Sequence, residues 1–310
     1  MRSVLIFFLL FCGAAQAFPV KPVRLIVPFP PGGATDIIGR LVGAKMQEVW
    51  GQPVLIENRP GAGTVLGTDL VAKAPADGHT LGMVVTAHVI NPSLRQNMPY
   101  DTLKDLAAVS QVSVQHLVIA AHPSLEANSV AELIALAKRH PGKLSYATPG
   151  SGTAMHLSVE LLKTQAGIDI VHVPYKGGAP AQQDVMGGRV PILLDVLYAA
   201  QPLINSGKLK VIALLSPRPA SGYPVVADTV PGVSALSIVG IVSSSGVQKE
   251  LVQKISADLA RAIKSSDLTE RMTQLGMEPV GSTPEQFDLL IRAEIEKWAR
   301  VVKLYGAKAD

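Results

Sequence analysis

The sequence predicts an α/β protein of two lobes with a ligand cleft between them, and three observations carry that prediction. Short apolar runs alternate with stretches of helical periodicity along most of the chain, the pattern of strands covered by helices in mostly parallel sheets. Four Pro/Gly loops each follow a strand and precede a helix, two in the first part of the chain and two in the middle. Ligands of such sheets lie beyond the carboxyl ends of the strands, so loops shared between two parts of the chain imply lobes facing across a cleft, a common place for a binding site.

The chain opens with Arg2, an apolar run from Val4 to Phe11 and Ala15-Gln16-Ala17, the form of a secretory signal peptide (1–17) cleaved before Phe18. The run is too short to span a bilayer, and nothing later is longer and apolar, so the mature protein is expected not to be membrane-embedded and to work in a periplasm-like space. Cys12 is the only cysteine, and cleavage discards it, which excludes a disulfide, a thiolate nucleophile and cysteine-ligated metal. Without Arg2 the chain keeps 27 basic against 24 acidic side chains, a mild +3 that is scattered. With aromatics at 5% and no basic stripe, nothing offers a nucleic-acid surface. Hydrophobic residues at 48% supply core for one large domain or two lobes.

The first unit is Val23 to Asp36, VRLIVPFPPGGATD. Val23, Leu25, Ile26 and Val27 read as a buried strand, Pro28 to Gly33 as loop, and the recurrence Ile38, Leu41, Val42, Met46, Val49 as a helix with Thr35 or Asp36 near its N-cap. Glycines without side chains and a helix dipole meet there, the setting that binds anions; Gly32 and Gly33 equally suit a plain tight turn. The unit recurs with a strand at Pro53 to Glu57, a loop from Asn58 to Thr64 and a helix over Val65 to Ala74. A third strand, Thr80 to Val85, runs into Thr86, Ala87 and His88. His116 to Ala121 reads as a strand leading to Ser129-Val130-Ala131-Glu132, the spacing of a capping box.

A second series follows. It comprises a strand at Leu144 to Ala147, the loop Thr148 to Thr153, a helix over Ala154 to Ala166, a strand at Asp169 to Val173, the loop Pro174 to Gly178 and a short helix from about Pro180. Strands at Ile192 to Val196, Leu209 to Leu215 and Ile238 to Val242 precede a helical tail. Its last helix has Thr283 at N-cap, Pro284 at N1 and Gln286 completing a capping box. Phe287, Leu290, Ile291, Ile295, Trp298 and Val302 share one face, and Gly306 acts as stop.

Six motifs then carry a resemblance: PFPPGGATD, ENRPGAGTVLG (Glu57 to Gly67), ADGHTL (Ala76 to Leu81), PGKLSYATPGSGTAMHL (Pro141 to Leu157), HVPYKGGAPA (His172 to Ala181) and GKLKVIAL (Gly207 to Leu214). From about Lys21 to Gly306 the chain resembles the Bug family, also called TctC, the extracytoplasmic solute-binding proteins of tripartite tricarboxylate transporters. The resemblance implies a type II periplasmic-binding (Venus flytrap) fold crossing between lobes near Ala121 and Ser237, with 18–121 and 238–310 in one lobe and 122–237 in the other. It also implies a monomer that captures a small carboxylate (dicarboxylate, citrate, acidic amino acid or aromatic acid) without a cofactor and delivers it to a membrane permease. The chain departs from the family pattern at Gly63 to Gly67 and at Ile238 to Gly246, where the usual aromatic and prolines are absent.

The ligand-binding candidates are Phe29, Pro30, Gly32, Gly33, Asp36, Thr86, Ala87, Thr148, Gly150, Ser151, Thr153, His156, Tyr175, Lys176, Gly177 and Asp195. Several have a structural alternative. Ser151 and Thr153 suit helix capping as well as a carboxylate cradle, and Asp36 suits a helix dipole as well as a ligand donor. Lys176 is a solvated loop charge or an anion partner, and His156 a helix residue or a ligand contact. Asp195 lines up with an Asp of the family pattern, implying an interlobe or water-mediated role. A ligand sensor coupled to a signalling receptor would use the same pocket. A secreted enzyme on this architecture is a third reading, but Gly150-Ser151-Gly152 lacks nucleophile-elbow spacing, and the seven histidines form no zinc motif.

Overall fold

The computed structural model describes residues 18–305 apart from Arg218, Ala220 and Ser221; the signal-peptide reading and the Gly306 stop therefore lie outside the described residues. The first three units are β1 (Val23–Val27), α1 (Ala34–Trp50), β2 (Val54–Asn58), α2 (Val65–Ala72), β3 (Thr80–Val85) and α3 (Ala87–Leu94). A long strand β4 (Leu106–Ala121) follows, then α4 (Val130–Arg139), β5 (Ser145–Thr148), α5 (Ala154–Ala166), β6 (Val171–Pro174), α6 (Gly178–Met186), β7 (Ile192–Val196), α7 (Leu197–Asn205) and β8 (Lys210–Leu214). The chain ends through β9 (Leu236–Ser244), α8 (Lys249–Ile263), α9 (Ser266–Gln274), β10 (Met277–Pro279) and α10 (Pro284–Tyr305).

The strands run β2-β1-β3-β9-β4-β7-β5-β6, with β8 and β10 also on β4. β1 pairs in parallel with β2 and β3, and β5 with β6 and β7. Every pair made by β4 or β9 is antiparallel. The expectation of mostly parallel sheets therefore holds only at the two flanks. The centre is antiparallel because the strands that join the flanks run against their neighbours.

β4 is the joining element. From Leu106 to His116 it pairs with β9, and from Leu117 to Ala121 with β7, so the change of partner falls at His116–Leu117. Its first part escaped the sequence reading because Ser110, Gln111, Ser113 and Gln115 break the apolar run, yet all four are buried. Remote groups satisfy part of that polarity: Ser110 donates to the Ser282 carbonyl at 2.8 Å, and the Gln111 N–H donates to Ser282 Oγ at 2.8 Å. α3, α7 and β10 also went unassigned.

Of the two expected capping boxes, the one at α10 forms fully and the one at α4 in half. Ser129 Oγ accepts from Glu132 N at 3.2 Å, while the Glu132 carboxylate reaches one residue farther back, to Asn128 N. At α10 the box is reciprocal, Thr283 N to Gln286 Oε1 at 3.0 Å and Gln286 N to Thr283 Oγ1 at 3.2 Å. α10 buries Phe287, Ile291 and Trp298 against α3 and β4. Two helix starts differ from expectation. α1 is capped by Gly33, whose backbone is extended, rather than by Thr35 or Asp36. α6 begins at Gly178 rather than Pro180 because Gly177 ahead of it takes a positive φ of 123° that only glycine adopts readily.

Candidate ligand-binding site

Five helices begin at one cavity. α1, α3, α5, α6 and α7 each follow a strand, and their N-cap residues Gly33, Thr86, Thr153, Gly177 and Val196 all line the same space. Only α5 is capped by a side chain, Thr153 Oγ1 accepting from His156 N at 3.3 Å; the other four N-termini have no side-chain cap. Uncapped first-turn N–H groups and the positive ends of helix dipoles make such a spot attractive to an anion. Each dipole contributes about 0.3–1 kcal/mol, more where water is excluded.

The side chains supply little charge. No Lys, Arg or His is among the described residues that line the cavity, and Asp195 is the only ionised side chain there. Asp195 is 1% exposed and accepts from Gln182 Nε2 and Val196 N, both at 2.8 Å. Burial pushes its carboxyl up to about 6, against the opposing pull of those two donors. Apolar groups, Phe29, Pro30, Pro31, Val85 and Met155 among them, form much of the wall. The floor is polar. Gln115 and Ser237 are paired across β4 and β9, and Thr86 Oγ1 lies 3.4 Å from Ser237 Oγ while accepting from Ile238 N at 3.0 Å.

The opposing walls touch. Tyr198, on α7, donates its hydroxyl to the Ala34 carbonyl of α1 at 2.6 Å. Burial raises the Tyr198 hydroxyl well above the ordinary tyrosine value, the Asp195 charge adding to this and Gln115 opposing it. Gly177 has φ +123°, a conformation open to glycine, and an added Cβ would come within 3.1 Å of the Pro30 ring. A Cβ on Gly178 would stand 2.8 Å from Asp195 Oδ2.

Eight of the sequence-predicted residues line the cavity: Phe29, Pro30, Gly33, Thr86, Ala87, Thr153, Gly177 and Asp195. The other eight lie outside its lining. Asp36 is buried and accepts from Gly32 N, Arg40 Nε and Asn58 Nδ2 at 2.9–3.0 Å. Burial alone would raise its carboxyl, but those three donors hold it below the ordinary value. Thr148 and Gly150 bond each other within their turn, and Thr148 Oγ1 also meets His172 Nε2 at 2.7 Å. His156 takes the Gly152 N–H on Nδ1 at 3.2 Å and stacks on His172 with ring centres 4.1 Å apart. Ser151 faces the second loop at Gly63. Tyr175 donates to Asp184 at 2.6 Å, and Lys176 is exposed.

The loop from Asn58 to Thr64 also stands outside, and its Arg59 pairs with Glu57 at 3.1 Å. Sequence reasoning missed Thr35, Gln115, Pro149, Gly178, Val196 and Ser237. Gln115 lay in the unread part of β4. Gly178 was legible as the second glycine of a pair before a helix.

A joined pair of α/β halves with helix N-termini converging between them defines a two-lobed periplasmic-binding-protein fold. Residues 38–307 match the family described as "Tripartite tricarboxylate transporter family receptor", TctC, and the chain belongs to that family of transporter binding receptors. It is 35% identical over 301 residues to Protein BugT of Bordetella pertussis, covering 95% of this chain and 92% of that one. The Rhodopseudomonas palustris protein Rpa4515, solved with adipate, superposes with a TM-score of 0.91 at 34% identity over 94% of this chain and 100% of that one. MatC of the same organism, solved with malate, gives 0.87 at 30% identity over 92% and 100%.

Proposed function

We propose that this chain captures a small carboxylate in the cavity, works in the periplasm after loss of its signal peptide, and delivers the acid as a monomer to the membrane subunits of a tripartite tricarboxylate transporter. The observation that carries the reading is the convergence of five helix N-termini on a cavity with no basic side chain among its described lining residues. A carboxylate there is held by backbone N–H groups, and the apolar wall accepts its carbon chain. Relatives solved with adipate and malate support the same class of ligand.

We place the lobe boundary where β4 changes partners, at His116–Leu117, with the return at the start of β9. The space between the walls is about 40 Å³, room for a few water centres at roughly 10–15 Å³ each. A diacid therefore enters only when the lobes part, and capture is closure about those two strands.

Thermal melting against a panel of C4 to C6 mono- and dicarboxylates tests the reading. A bound acid at about 100 times its dissociation constant stabilises the protein by roughly 2.7 kcal/mol, and mass spectrometry of acid released on denaturation identifies the natural ligand. A melting temperature unmoved by every acid in the panel, together with no released acid, would remove the proposal.

A further inference from the structure

Gln115 is 3% exposed and lines the cavity from the strand floor. Its Nε2 is sealed from solvent and has no hydrogen-bond partner within 3.5 Å. Its polar neighbour is the Tyr198 hydroxyl, which interacts with the Gln115 amide but is itself engaged as a donor to the Ala34 carbonyl. The neighbouring polar side chains are committed. Asp195 holds Gln182 and Val196 N, Thr153 Oγ1 donates to the Gly150 carbonyl, and Thr86 Oγ1 takes Ile238 N. Among the described residues lining the cavity, Gln115 alone has a buried side-chain polar atom without a partner. Buried amide donors are almost always paired, and an orphan in a binding site marks where a ligand atom belongs.

We propose that Gln115 sets which acids the receptor accepts: its side-chain amide donates to a second oxygen acceptor on the ligand, so acids bearing one are favoured over plain aliphatic monoacids of equal length. The inference rests on the carboxylate reading above and adds the residue that selects among carboxylates. The helix N-termini hold one carboxylate whatever the rest of the molecule is. Gln115 belongs to a different element, paired in register with Ser237, and so addresses a different part of the ligand. A site built to hydrogen-bond a group rejects the analogue lacking it because its own donor is then stranded. The discrimination expected from one neutral amide is on the order of five- to a hundredfold, the equivalent of about 1–3 kcal/mol.

The test is titration calorimetry of the purified protein and its Gln115→Met variant with length-matched pairs: succinate and butyrate, glutarate and pentanoate, adipate and hexanoate. Methionine keeps the unbranched shape and removes the donor; Gln115→Leu serves if Gln115→Met does not fold. The wild type is expected to prefer the diacid of the pair it binds best. The variant is expected to lose diacid affinity by about tenfold and hold monoacid affinity unchanged, so the preference collapses. Equal weakening of both acids, or an intact preference, assigns Gln115 to packing and overturns the inference. A wild type that binds both members of a pair equally also overturns it while leaving the carboxylate reading standing. A wild type that binds no acid removes both.

Discussion

Replacing Asp195 by asparagine should stabilise the protein at neutral and alkaline pH and leave it nearly unchanged in acid. The carboxyl is buried, and its hydrogen-bond partners are the neutral donors Gln182 Nε2 and Val196 N. Its affinity for a proton rises from an ordinary 3.8 to about 6 in the folded protein. The folded state therefore binds more protons than the unfolded chain between about pH 4 and 6, and this group's contribution to stability falls as pH rises through that window. A difference of about 2 units at 1.36 kcal/mol each amounts to about 3 kcal/mol of cost above pH 7. Asparagine keeps a carbonyl for the Val196 N–H and carries no charge. Its NH2 replaces the oxygen that takes Gln182 Nε2, and that donor is met when the Gln182 amide turns its oxygen inward, as it must also do for the protonated acid.

At about 2 °C per kcal/mol for a chain of this size, Asp195→Asn should melt about 6 °C higher than wild type at pH 8, and within a degree of it near pH 4. The comparison is between variant and wild type at each pH, because Asp36, Glu57 and Asp258 are held below their ordinary values and pull the overall curve the other way. A variant that melts lower than wild type at pH 8, or whose advantage is the same at pH 4 and pH 8, would show that the ionised Asp195 carboxylate is stabilised where it stands, and the reasoning would fail.

The same buried charge faces any bound anion, so wild-type affinity for its acid should tighten by up to about tenfold from pH 8 to pH 5.5, while Asp195→Asn should titrate flat in calorimetry. A Cβ on Gly33 meets only the Pro30 carbonyl at 3.6 Å, so Gly33→Val should fold normally yet lose more than about a hundredfold in affinity by filling the anion cradle. Lys176→Ala, outside the cavity and exposed, should stay within about threefold of wild type in the same titration. Tyr198→Phe removes the hydroxyl bond to Ala34 across the cleft; stopped-flow release should quicken by about three- to tenfold, the worth of one hydrogen bond. Gly240→Ala would drive its Cβ into the ring of Phe287, itself 1% exposed, and urea melts should show a loss of about 1–3 kcal/mol.

How far the site was legible follows from what kind of signal each residue leaves. Strand, glycine loop and helix announce themselves locally: β1 is a run of apolar residues, Gly177 is demanded by a positive φ, and Thr283 and Gln286 cap α10 within one turn. So the units were readable, and with them Gly33, Thr153 and Gly177 as loop residues of the cavity, although Gly33 and Gly177 stand as caps where Thr35 or Asp36 and a start near Pro180 were expected. Which loops face the cavity is a matter of packing between distant segments, and no spacing records it. Asp36 and Lys176 have the chemistry of ligand partners, yet Asp36 is consumed by Gly32, Arg40 and Asn58, and Lys176 is turned to solvent. The converse holds for β4. Ser110 and Gln111 look like a solvated loop until Ser282, far along the chain, is seen to pair with both, and burial then turns a polar stretch into a central strand. Gln115 inherits that invisibility. Its place on the cavity floor depends on register with Ser237, and its unpaired amide has meaning only because that register buries it, so the residue proposed to choose the ligand is the one whose sequence context pointed least toward a site.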